Sequence, residues 1–168
     1  MAPAVFDDYL HWVYRGVTVV RDRGDRSDDN FSNHMWAYLV ALWIAGDQLG
    51  DTALRNAAIN SMRATEKDFG RGPYYDEVNK AWERTPPLST LRRLIMDIYV
   101  ILLNNKYLHT QWDSSNQEFL KEHPQRTFEI TRATIKGVKV DVSSPHQRSA
   151  CHYHEHKEGG PACGPTDA

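Results

Sequence analysis

The run Trp36-Ala-Tyr-Leu-Val-Ala-Leu-Trp-Ile-Ala45 constrains this chain more than any other stretch, because it carries no charge and ends abruptly at Gly46-Asp-Gln-Leu-Gly-Asp51. The spacing predicts a helix from Ser32 or Asn33, both competent N-caps, to Ala45 or Leu49. Trp36, Leu39, Val40 and Trp43 share one face, and Leu42 and Ile44 carry apolar surface nearly all round. A helix that is apolar on most sides must be covered on most sides, so it belongs at the centre of the fold. It is too short to span a bilayer, which takes about 20 such residues.

Residues 4–15 are read as an amphipathic helix. Val5, Phe6, Tyr9, Leu10, Val13 and Tyr14 form its apolar stripe, Asp7, Asp8 and Arg15 lie opposite, and Gly16 follows the last turn. Val17-Thr-Val-Val20 reads as a short strand and Arg21 to Asn30 as an exposed loop. After Gly50, Asp51 or Thr52 caps a third helix with Ala53, Leu54, Ala57, Ala58 and Met62 inward. Phe69-Gly-Arg-Gly-Pro73 is a turn and the expected boundary inside the chain. Tyr74 to Trp82 fits a short helix. Ser89 opens a strong one, with Leu91, Leu94, Ile95, Ile98, Tyr99 and Leu102 inward and Arg92, Arg93 and Asp97 on the solvated face. Asn116 to Lys121 is a weak helix, and Thr127 to Ile135 fits either period. From residue 141 the chain turns to Ser, Pro, Gly, His and Cys with few aliphatics, the composition of a disordered tail that builds no core. The expected organisation is a first unit at 1–69, a helical extension at 70–140 and a Cys/His-rich flexible tail at 141–168.

Nothing in a formal net charge of −2 with interleaved signs suggests the basic face that nucleic-acid binding needs, and no nucleic-acid partner is expected. Both cysteines, Cys151 and Cys163, lie near the C-terminus, which argues against a disulfide scaffold and for an intracellular compartment, cytoplasmic or nuclear. Met1-Ala-Pro-Ala leads into an acidic amphipathic segment and not into an apolar signal core.

Three motifs in a fixed order carry a resemblance. They are Trp12-x-Tyr14-x-Gly16, then Gly46-Asp47-x-Leu49 with Asp51, then Thr85-Pro86 with Ser89-Thr-Leu-Arg-Arg-Leu94. Over roughly residues 4–103 the chain resembles the C-terminal part of fungal BTB/POZ domains. The resemblance implies a mainly α fold, the helical remnant of an α+β domain with at most one or two short strands. It implies non-catalytic protein–protein interaction with a protein partner. The strand–helix–hairpin half that precedes these motifs in such domains, and shapes their usual dimer face, has no counterpart here, so a homodimer through those elements is not implied. The hydrophobic-x-Glu signature of cullin adaptors is also missing from Val17-Thr-Val-Val-Arg-Asp22, which leaves ubiquitin-ligase adaptor work a remote alternative.

Little in the chain has the pattern of an active site. No phosphate loop or Gly-x-Ser-x-Gly occurs, His11, His34, His109 and His123 are scattered, and Asp7-Asp8 and Asp28-Asp29 do not converge, so no enzyme is expected. The tail offers one metal candidate, Cys151, His154, His156 and Cys163, in the pattern C-x2-H-x-H-x6-C. Four such ligands suit a closed structural zinc site, the basis of an alternative reading as a small zinc-stabilised regulatory protein. The competing readings are a His-rich tail and a Cys151–Cys163 disulfide. Finally, if the apolar stretches lack their usual cover, Val13, Val17, Val19, Trp36 and Trp43 are expected to form an exposed patch that binds a partner.

Overall fold

A computed structural model of the chain describes residues 3–15, 31–104 and 145–156. They form five helices, α1 (Pro3–Arg15), α2 (Phe31–Leu49), α3 (Thr52–Phe69), α4 (Tyr75–Arg84) and α5 (Thr90–Asn104). Two 3-10 turns follow, Pro145–Gln147 and Ala150–His152. The fold is mainly helical, and no strand occurs among the described residues. The strand expected at Val17–Val20, the loop Arg21–Asn30 and the elements expected at 116–121 and 127–135 lie outside them.

Helix α2 is the centre that its composition demands. Trp36, Leu39, Val40, Leu42 and Trp43 are all buried, and α1, α3 and α4 pack around them. One core joins them to Leu54, Ile59 and Met62 of α3, Val78 and Ala81 of α4, and Leu91, Leu94, Ile95 and Ile98 of α5. Each large aliphatic or aromatic side chain so buried contributes about 1.5–3 kcal/mol relative to exposure. Side chains from both sides of the Phe69–Pro73 turn enter this one core. The small-residue stripe expected along α3 is displaced: Ala58 is buried with Leu54, Ile59 and Met62, Ala57 is half-buried, and Ala53 is exposed.

The α2–α3 turn explains its own sequence. Asp51 caps α3, its Oδ1 accepting the Leu54 amide at 2.9 Å. Gly50 takes the left-handed conformation at φ 68°, which costs glycine little. Gly46 is needed for close approach, since a Cβ there would lie 3.0 Å from Arg55 Cγ and 3.3 Å from both the Arg55 N and the Asp51 O. The Asp47 carboxylate pairs with Arg55 Nη1 at 2.7 Å.

The α4–α5 connection is held by Arg92, which is half-buried and not on a solvated face. Its guanidinium donates to the Trp82 and Thr85 carbonyls and, at 3.1 Å, to Thr85 Oγ1, and it lies over the Trp82 ring. Ser89 caps α5 by accepting the Arg92 amide at 3.3 Å.

Residues 145–156 depart from the expectation of a flexible tail. They pack against α3 and α5 and bury Pro145, Ala150 and Tyr153, the last wholly within the common core. A stretch too poor in aliphatics to build a core can still be drawn onto one that other elements supply, provided its polar backbone finds partners.

Candidate functional site

Helix α1 carries two stripes rather than one. Val5 and Asp8 are buried, and Tyr9 and Trp12 are packed partly into the core. These positions recur at three- and four-residue spacing and form the inward face. Trp12 sets the rotation of the helix, because its indole Nε1 donates to Asp51 Oδ2 at 3.2 Å, tying α1 to the α2–α3 turn. That rotation turns Phe6 (49% exposed), Leu10 (36%), Val13 (54%) and Tyr14 (83%) outward as a second, contiguous apolar stripe. Asp8, expected opposite the apolar face, is instead inside, and Phe6 is outside.

The expected patch is therefore only partly an exposed surface. Val13 lies on the outward stripe of α1. Trp36 and Trp43 do not join it: both are wholly buried, because α2 is covered from several sides and spends its aromatic face on the core. Val17 and Val19 lie outside the described residues. Phe6, Leu10 and Tyr14 are the members that the sequence reading missed as surface; the signal available was that α1 carries more apolar positions than one contact face can cover.

Three of the four expected metal ligands, Cys151, His154 and His156, fall within the described segment. His154 turns its Nε2 to Asn60 Oδ1 at 2.8 Å, and the His154 and His156 rings lie 6.3 Å apart between centroids. Among the described residues, no three His, Cys, Asp or Glu side chains gather to hold a metal. Cys163, the fourth expected ligand, lies outside them.

What holds this segment is a set of polar side chains on two neighbouring helices. From α3, Arg63 is buried and donates to three carbonyls of the segment backbone: Pro145 O at 3.0 Å, His146 O at 3.4 Å and Arg148 O. Glu66 meets His146 Nδ1 at 2.7 Å. Asn56 pairs with the Glu155 backbone in both directions, its Nδ2 donating to the carbonyl and its Oδ1 accepting the amide, each at 2.9 Å. Arg55, stacked on the Trp43 ring, binds Glu155 Oε2 at 2.8 Å. From α5, Arg93 donates to His152 O at 3.0 Å, and Asp97 Oδ2 receives both Arg148 Nη1 at 2.6 Å and the Tyr153 hydroxyl at 2.9 Å. Burial first, then the adjacent Asp97 carboxylate, push the Tyr153 phenol well above the usual tyrosine range, with Arg148 opposing.

No described helix is long and apolar enough to cross a membrane. No family model, curated protein or solved structure matches the chain.

Proposed function

We propose that this chain is a non-catalytic protein-interaction module that binds a protein partner through the outward stripe of α1. The observation that carries this reading is the contiguous row Phe6, Leu10, Val13 and Tyr14, exposed on a helix whose other face is already committed to the core. Contiguous exposed apolar surface is costly in water and marks an interaction site where it is retained. Tyr14 and Phe6 add large aromatic surfaces of the type that anchors interfaces.

The motif order described above supports the same class of function. In that reading the chain is a BTB/POZ-like interaction scaffold, with Trp12 and the Gly46-to-Asp51 turn acting as packing positions that present α1. Light scattering combined with apolar-dye fluorescence on the purified chain tests the proposal. Dye binding by the folded protein, or concentration-dependent association, is expected. A stable monomer that binds no dye would oppose it.

A further inference from the structure

The polar residues that grip segment 145–156 fall into two helical rows. Asn56, Asn60, Arg63 and Glu66 lie along one face of α3, and Thr90, Arg93 and Asp97 lie along one face of α5. Every one of these side chains has a polar contact with the segment. Rows of polar residues at helical spacing are ordinarily solvated; here they form the walls of a groove that holds a segment folded into two 3-10 turns.

The contacts divide as they do where proteins read peptides. Arg63, Arg93 and the two-way Asn56 pair address main-chain groups, which any sequence presents. Selectivity comes from three places. Asp97 takes an arginine and a tyrosine hydroxyl together, the wholly buried Tyr153 side chain joins the common core, and Arg55 takes the acidic side chain of Glu155. Only Pro145, Ala150 and Tyr153 of the segment are buried. Tyr153 is the segment's one large buried side chain, so opening the segment exposes far less apolar surface than opening the α2-centred core.

We propose that the α3–α5 groove is a peptide-binding site which the chain's own residues 145–156 occupy, and that the same groove takes a turn-forming segment of a partner protein presenting the pattern Arg-x4-Tyr-x-Glu. The chain's own segment, being part of the same molecule, acts as an intramolecular competitor for the groove. A partner segment binds with an apparent affinity reduced by the fraction of time that the groove is open. This site is separate from the α1 stripe and does not depend on it.

The test uses a fluorescein-labelled synthetic peptide with the sequence of residues 145–156, under reductant, and fluorescence anisotropy. It is titrated into the full chain and into the full chain carrying Arg148→Ala and Tyr153→Ala, which weaken the internal segment. The doubly substituted chain is expected to keep its helical circular dichroism and to bind the peptide at least about tenfold more tightly than the unsubstituted chain does. Adding Asp97→Asn to it, or replacing the peptide's tyrosine by alanine, should remove most of that gain. Hydrogen exchange on the unsubstituted chain gives a second reading: the Tyr153, His154 and Glu155 amides should exchange faster than those of α2 and α3. Equal binding to both chains, binding to neither, loss of helix in the substituted chain, or exchange of these amides only with the whole fold would each overturn the proposal. So would a wild-type dimer that the peptide dissociates, since the occupant would then be a second copy's segment.

Discussion

Asp51 joins two jobs in one carboxylate, and removing it gives the sharpest test of how α1 is held. Its Oδ1 caps α3 through the Leu54 amide, and its Oδ2 accepts the Trp12 indole N–H. Loss of an aspartate N-cap costs typically ~1 kcal/mol. A half-buried indole–carboxylate hydrogen bond contributes about 1.5 kcal/mol more, at the lower end for bonds to a charged group. Asp51→Ala should therefore destabilise the chain by roughly 2–3 kcal/mol, the sum of the two contributions. Asp51→Asn separates them, because its amide oxygen can still cap α3 while its NH2 then faces the indole donor; about half of the loss should remain. Urea unfolding followed by far-ultraviolet circular dichroism measures each value. A double-mutant cycle with Trp12→Phe isolates the link to α1, with a coupling energy of about 1 kcal/mol expected. A loss below about 0.5 kcal/mol for Asp51→Ala, within the range of ordinary surface changes, would refute the double role. So would independent, additive effects of Asp51 and Trp12 substitutions.

Other consequences follow from close packing and buried charge. Gly46→Ala gains up to ~1 kcal/mol of helix propensity, yet its methyl meets Arg55 and the Asp51 carbonyl, so a net loss of about 1 kcal/mol is expected in the same urea assay. A net gain would mean that α3 moves away freely. Burial holds the Glu77 carboxyl above its ordinary value of 4.5, against its own backbone hydrogen bond and Lys80. With the folded value raised, the unfolded chain releases this proton first as pH rises; stability from this group is full below 4.5 and is lost on passing through the folded value. Glu77→Gln lacks that loss, so its stability relative to the unsubstituted chain should improve as pH rises above 4.5. A difference that stays flat with pH would contradict the buried-charge argument.

The parts of the fold legible in the sequence are those governed by local rules. The central place of α2 follows from an apolar surface with no polar face to show water, and Trp36, Leu39, Val40 and Trp43 are buried as that requires. Asp51 and Ser89 cap their helices, and Leu91, Leu94, Ile95, Ile98 and Tyr99 face inward, because capping and helical period depend on near neighbours. Helix α1 was legible as a helix but not in its rotation. Periodicity alone allows Phe6 or Asp8 inside, and the choice rests on Trp12 finding Asp51, 39 positions away. Segment 145–156 was opaque for the same reason. Its composition shows no core of its own, and Arg63 reaches Pro145 across 82 positions, a partnership that no window of sequence displays. The exposed and buried halves of the expected interaction patch divide along this line: Val13 is at the surface, while Trp36 and Trp43 are core.

The central claim, that the outward stripe of α1 is a surface for binding and not a part of the core, is tested most directly by apolar-dye fluorescence of the double substitution Phe6→Glu with Val13→Glu. Both side chains are about half exposed, so the substituted chain should keep its helices and unfold within about 0.5 kcal/mol of the original. Its dye fluorescence should fall towards that of the buffer. Unchanged dye binding would place the sticky surface elsewhere, and loss of the helices would show that this face belongs to the core.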